Sequence, residues 1–123
     1  MAQGVPEGWR SITPRLVVLD TARQVEFLKN AFGATGIPRT DGPSVISIGD
    51  SLVMVSGVEP RKPMPAFLYL YVEDIDTTYN RALEAGAASL EEPWDTPYGD
   101  RRGMVEDPCG NIWQIATHRE RDR

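Results

Sequence analysis

The chain has one cysteine and one histidine among its 123 residues. With Cys109 alone no intrachain disulfide can form, which fits a reducing cytoplasm. With His118 alone, one chain cannot build a metal centre on two or more imidazoles. No apolar run approaches the ~20 residues of a membrane-spanning helix, and Met1 to Arg10 lack the basic start and apolar stretch of a signal peptide. Positive charge is also sparse. The formal net charge is −5, and the densest basic run, Arg119, Arg121 and Arg123, is interleaved with acids. These features give no electrostatic footprint for nucleic acid and no expected membrane partner. What remains is the composition of an ordinary globular domain, 41% hydrophobic and 25% charged, long enough for one core.

The chain repeats itself. Leu16-Val17-Val18-Leu19-Asp20 is an apolar run ending in an acid, and Leu70-Tyr71-Val72-Glu73-Asp74 is another. After Asp20, Ala22, Val25, Leu28 and Phe32 recur at helical spacing, with Asp20 as N-cap and Gly33 as stop. After Asp74, Ile75, Tyr79, Ala82 and Leu83 do the same up to Gly86. Short strands are predicted near 36–40, 45–48 and 51–55 in the first half, and near 88–92, 101–106 and 112–117 in the second. Asp41-Gly42-Pro43, Gly49-Asp50 and Asp107-Pro108-Cys109-Gly110 supply turns. The unit is therefore βαβββ, written twice. A single domain over 1–123 is expected, with module one at about 10–57, a proline-bearing linker at 58–65 and module two at about 66–118. The fold class is α+β: two modules forming a curved mixed sheet, helices outside, with a concave inner face.

Alternation assigns the faces, because successive strand residues point to opposite sides. Leu68, Leu70 and Val72 suit packing on a helix, leaving Phe67, Tyr69 and Tyr71 as an aromatic stripe. Ile12, Pro14, Leu16 and Val18 oppose Thr13, Arg15 and Val17. Trp113, Ile115 and Thr117 oppose Ile112, Gln114 and Ala116, so Trp113 is expected in the core. Pro14 cannot donate in a ladder and marks an edge or bulge open to a second subunit. Trp94 and Tyr98 lie in a proline-stiffened stretch, 92–98, that suits a rim or lid.

The repeat, together with Gly99-Asp100-Arg101, Asp107-Pro108-x-Gly110-Asn111 and Trp113-x-Ile115-Ala116-Thr117-His118, resembles the vicinal oxygen chelate superfamily of glyoxalases, bleomycin-resistance proteins and extradiol dioxygenases. The resemblance runs from about Arg10 to His118. It implies metal ligands on the inner face at positions that fall here on Thr13, Phe67, Gln114 and Val53, or on Met54 if the register slips by one. None of Thr13, Val53 and Phe67 can ligate zinc, nickel or ferrous iron. The pattern is therefore closest to the metal-free, bleomycin-resistance-like branch. No metal, cofactor or catalytic residue is expected.

The face so defined suits a flat, largely apolar ligand. Its candidate contacts are Arg15, Val53, Phe67, Tyr69, Trp94, Tyr98, Ile112 and Gln114. The expected function is binding of an aromatic or peptide-derived natural product, of the antibiotic-resistance or self-protection type. The resemblance also implies a homodimer with its pockets near the interface. The alternative it implies is a glyoxalase-type lyase, isomerase or dioxygenase. For that chemistry Glu92, Asp95 and Glu106 are the nearest acids, and His118 is expected beyond the last strand as a surface histidine.

Overall fold

The computed structural model describes residues 4–58 and 62–119; part of the expected linker and the end of the basic tail lie outside them. Module one contains β1 (Arg15–Val17), α1 (Thr21–Phe32), β2 (Ser44–Ile48) and β3 (Ser51–Ser56). Module two contains β4 (Phe67–Tyr71), α2 (Ile75–Glu84), β5 (Ala88–Asp95), β6 (Asp100–Glu106) and β7 (Ile112–His118).

Both helices begin where a side chain can satisfy an orphan N–H. The Asp20 carboxylate accepts from the Arg23 amide, and Asp74 accepts from Thr77, as N-caps do. The first helix stops at Gly33, whose φ of 68° is the left-handed conformation that glycine adopts at no steric cost.

The two modules repeat each other in space. In module one β3 is central, parallel to β1 and antiparallel to β2. In module two β7 is parallel to β4 and antiparallel to β6, and β6 pairs with β5. Within the chain these are two mixed sheets, ordered β1-β3-β2 and β4-β7-β6-β5. The expected α+β class of two strand-and-helix modules with mixed sheets is what forms, and among the described residues no strand of one sheet pairs with a strand of the other. The strand expected at 36–40 is reduced to a bridge between Thr35 and Ser47. Pro38 has no N–H for a ladder there, and Ile37 is left in solvent. Ile12 is likewise exposed and does not join Leu16 and Val18 in the core, because β1 begins only at Arg15.

The outer strand β5 breaks register twice against β6, between Ser89 and Glu91 and between Glu91 and Trp94. Gly103 on β6 faces this irregular stretch. A Cβ there would sit 3.1 Å from the Tyr79 ring and 3.2 Å from the Glu91 carbonyl oxygen, so any larger residue would push the strand, the helix and the kink a few tenths of an ångström apart.

One hydrophobic cluster spans both modules. Leu16, Val18, Ile46 and Val55 meet Val25, Phe27 and Leu28 of α1; Val105, Trp113 and Ile115 meet Ile75 and Ala82 of α2. Edge-on ring contacts run from Phe27 to Phe32 and on to Trp113, with centroids 5.5 and 4.9 Å apart. Trp113 is in the core, as alternation requires.

A buried polar knot also joins the modules. Asp107 accepts from the Gln24 amide of α1 and from the Trp113 indole, each at 2.9 Å, through Oδ2. Its Oδ1 accepts from the Cys109 and Asn111 backbone amides at 2.9 and 3.0 Å. The Asn111 side chain donates to Gln24 at 2.7 Å and accepts from the Ala66 amide at 2.8 Å. Removing one member strands several buried partners, which costs about 1–3 kcal/mol for each unsatisfied group. Asp107→Ala is expected to lower unfolding free energy by at least about 3 kcal/mol in urea titrations. The exposed neighbour Pro108→Ala should change it by less than about 1 kcal/mol.

Candidate functional site

The four-stranded sheet covers one face with α2 and leaves the other open. Strand pairing arranges that open face in rows. Phe67 lies beside Ile112, which lies beside Glu106. Tyr69, Gln114, Met104 and Glu91 form the next row, and Tyr71, Ala116, Arg102 and Trp94 the third. Phe67, Tyr71 and Tyr98 are 66%, 58% and 59% exposed, so these rings meet water rather than core. Six of the candidates, Phe67, Tyr69, Trp94, Tyr98, Ile112 and Gln114, therefore belong to this one sheet and its β5–β6 turn. Trp94 sits within β5 rather than in a free loop, and Tyr98 is held in the turn after it.

Arg15 and Val53 belong to the other sheet. Val53 requires a correction: it is 5% exposed and lies in the core. The reason is register. Arg15 pairs with Met54, and Val53 pairs with the fully buried Ile46. Met54 is the residue turned to the open side, where its sulfur accepts from the Arg15 guanidinium at 3.4 Å.

Arg102 is fully engaged. It donates to Glu91 at 3.0 Å through Nε and to the Tyr98 hydroxyl at 2.7 Å, and its guanidinium carbon lies 5.6 Å from the Trp94 ring centre. This cross-hairpin ion pair holds Trp94 and Tyr98 at one end of the face.

Asp100 is a hub absent from the sequence candidates. Only 5% exposed, it accepts from the Tyr69 and Tyr71 hydroxyls at 2.7 and 2.8 Å through Oδ2. Its Oδ1 lies 2.8 Å from His118 Nδ1. Burial alone would raise its pKa, but the hydrogen bonds from Tyr69, His118 and Tyr71 outweigh that and hold the carboxyl below its usual range. Burial and the bond to Asp100 push the Tyr69 phenol well above its ordinary value; the same bond raises Tyr71. His118 is the last residue of β7 rather than a residue beyond it. The Gly99 Cα leaves room for its ring, since a Cβ there would approach His118 Cε1 to 3.3 Å. A signal for this hub was available: a β6–β7 hairpin closed by the 107–111 turn sets position 118 opposite position 100.

Tyr69 and Tyr71 also border a cleft of about 680 Å³, reached between the β2–β3 turn and the start of α2. The metal positions implied by resemblance do not fit a metal. Phe67 and Val53 carry no ligand atom, Val53 is in the core, and no group of three or more His, Cys, Asp or Glu among the described residues could hold an ion.

A two-module α+β protein with an open aromatic sheet face is the class that fold and site define. The family model for the Glyoxalase/Bleomycin resistance protein/Dioxygenase superfamily matches residues 11–115, and the chain belongs to that superfamily. Uncharacterized proteins of Mycobacterium bovis and Mycobacterium tuberculosis are each 30% identical over 124 aligned residues, covering 86% of this chain and 82% and 73% of theirs. Among solved structures, TioX from Micromonospora sp. ML1 shares the fold with a TM-score of 0.78 at 23% identity, covering 89% of this chain and 98% of its own. A glyoxalase/bleomycin resistance protein/dioxygenase family enzyme of Burkholderia phytofirmans does so with a TM-score of 0.74 at 19% identity, covering 85% and 94%. No helix among the described residues is long and apolar enough to cross a membrane.

The depressed Asp100 pKa fixes a sign. A carboxyl whose folded pKa lies below its unfolded value contributes stability above the unfolded pKa and loses it as pH falls through the folded one. The native chain should therefore melt higher than Asp100→Asn at neutral pH. The gap should narrow as pH drops below about 4, read by thermal melts across pH.

Proposed function

We propose that the chain is a metal-independent binding protein that captures an aromatic or peptide-derived natural product on the open face of its larger sheet. Phe67, Tyr69, Trp94, Tyr98, Ile112 and Gln114 make the contacts, Arg15 reaches in from the smaller sheet, and two copies of the chain enclose the ligand. Such capture in the cytoplasm would serve antibiotic resistance or self-protection. One observation carries the reading: five aromatic residues, Phe67, Tyr69, Tyr71, Trp94 and Tyr98, stand exposed around one sheet face. An apolar patch of this kind on a soluble domain marks an interaction surface, and ring stacking contributes ~0.5–1.5 kcal/mol per pair beyond burial.

A thermal-shift screen followed by calorimetric titration against aromatic natural products tests it. At least one should bind with a Kd below about 1 mM; failure of every compound to do so sinks the proposal. For such a ligand, Phe67→Ala or Trp94→Ala should weaken binding by roughly 1–3 kcal/mol. Because both rings are substantially exposed, the melting temperature should move little.

The second reading is an enzyme of the lyase, isomerase or dioxygenase type found in this superfamily. The Asp100–His118 contact favours it, since an imidazole oriented by a carboxylate can move a proton. Elemental analysis of protein purified without chelators separates the two. One tightly held transition metal per chain would favour the enzyme and overturn the binding protein.

A further inference from the structure

Tyr69 and Tyr71 look, in sequence, like two interchangeable hydrogen-bonding rings. The structure takes that freedom from them. A carboxylate only accepts, so each phenol must turn its one proton toward Asp100, at 2.7 and 2.8 Å. What the two oxygens keep for a neighbour is their lone pairs. The rings converge, with centroids 5.2 Å apart at 52°. Donation to an anion also draws electron density toward each ring and makes its face more negative.

The charges around the rings agree. Asp100, Glu91 and Glu106 lie on the strands of this face, against the Arg102 guanidinium and that of Arg15 from the smaller sheet. The Arg102 guanidinium is engaged by Glu91, by the Tyr98 hydroxyl and by the Trp94 ring, and it also interacts with the Tyr69 hydroxyl, which leaves the Tyr71 oxygen as the freer acceptor of the pair. His118 completes the set of titratable groups around Asp100 and already faces its Oδ1. The chain as a whole carries a formal charge of −5.

We infer that the Tyr69–Tyr71 shelf over Asp100 is an acceptor-only receptor whose occupant is a cationic, N–H-donating aromatic compound such as a protonated arylalkylamine. The inference rests on the binding face proposed above. The ammonium N–H groups meet the two phenol oxygens, the positive charge lies over the ring faces, and the ligand's own ring lies toward Phe67. An anionic ring of the same size meets the same lone pairs and the negative charge of Asp100 and Glu106.

The test is calorimetric titration of the full chain at pH 8 with three matched probes: naphthylmethylamine, naphthylmethanol and naphthoate. The amine should bind on the order of tenfold more tightly than the alcohol, and naphthoate more weakly still. Replacing both phenols in the Tyr69→Phe/Tyr71→Phe protein keeps the rings and removes the acceptors; the preference for the amine should fall severalfold. Asp100→Asn, which removes the charge and frees the phenols to reorient, should do the same. If one variant fails to fold, the other decides. Equal binding of all three probes, or a preference for naphthoate, overturns this inference and leaves the binding face standing. Binding of none of the three overturns this inference, and the natural-product screen described above then decides separately whether the binding face stands.

Discussion

The Asp107 carboxylate organises the molecule. It sits at the turn between β6 and β7, yet it accepts from a glutamine of the other module, from the indole of the core tryptophan and from two amides of its own turn. A buried charge is tolerated only when its lone pairs are satisfied, and here both oxygens are used twice. The knot sets the α1 position over module two and, through Asn111, ties down Ala66 where β4 begins. The aromatic stripe starts one residue later. The geometry of the open face is thus inherited from a carboxylate on the far side of the sheet that touches none of it.

This division explains why the most recognisable stretch of the chain says little about chemistry. Asp107-Pro108-Cys109-Gly110-Asn111 is an architectural device: its polar groups are consumed internally. Family membership follows from it, whereas function depends on what the exposed rows carry. On those rows this chain sets rings and an amide where a metal site would need imidazoles and carboxylates.

Much of the fold was legible. Asp20 and Gly33 bound the first helix as capping rules require, and the period-2 alternation of β4 and β7 separated Trp113 from Gln114 correctly. Legibility failed where pairing, not pattern, decides. Val53 and Met54 are both apolar, so no alternation rule distinguishes them; only the opposition of Arg15 to Met54 does. Alternation could also not reveal that β1 starts too late to bury Ile12, or that Pro38 reduces a strand to one bridge. The Asp100 hub was missed because its members come from three strands, and hydrogen-bond acceptance by a carboxylate leaves no local signature. Its clue lay in the symmetry of a hairpin, a longer-range inference than residue type.

The paired dislocations in β5 make the larger sheet lopsided. An outer strand that breaks register twice is a poor template for another chain, and such irregularity is how natural proteins discourage fibre formation. On the opposite flank, β4 keeps an unbroken register with β7 through Tyr71. The larger sheet therefore presents one regular edge rather than two. Gly103, by leaving space for the distortion, keeps the β5 edge irregular.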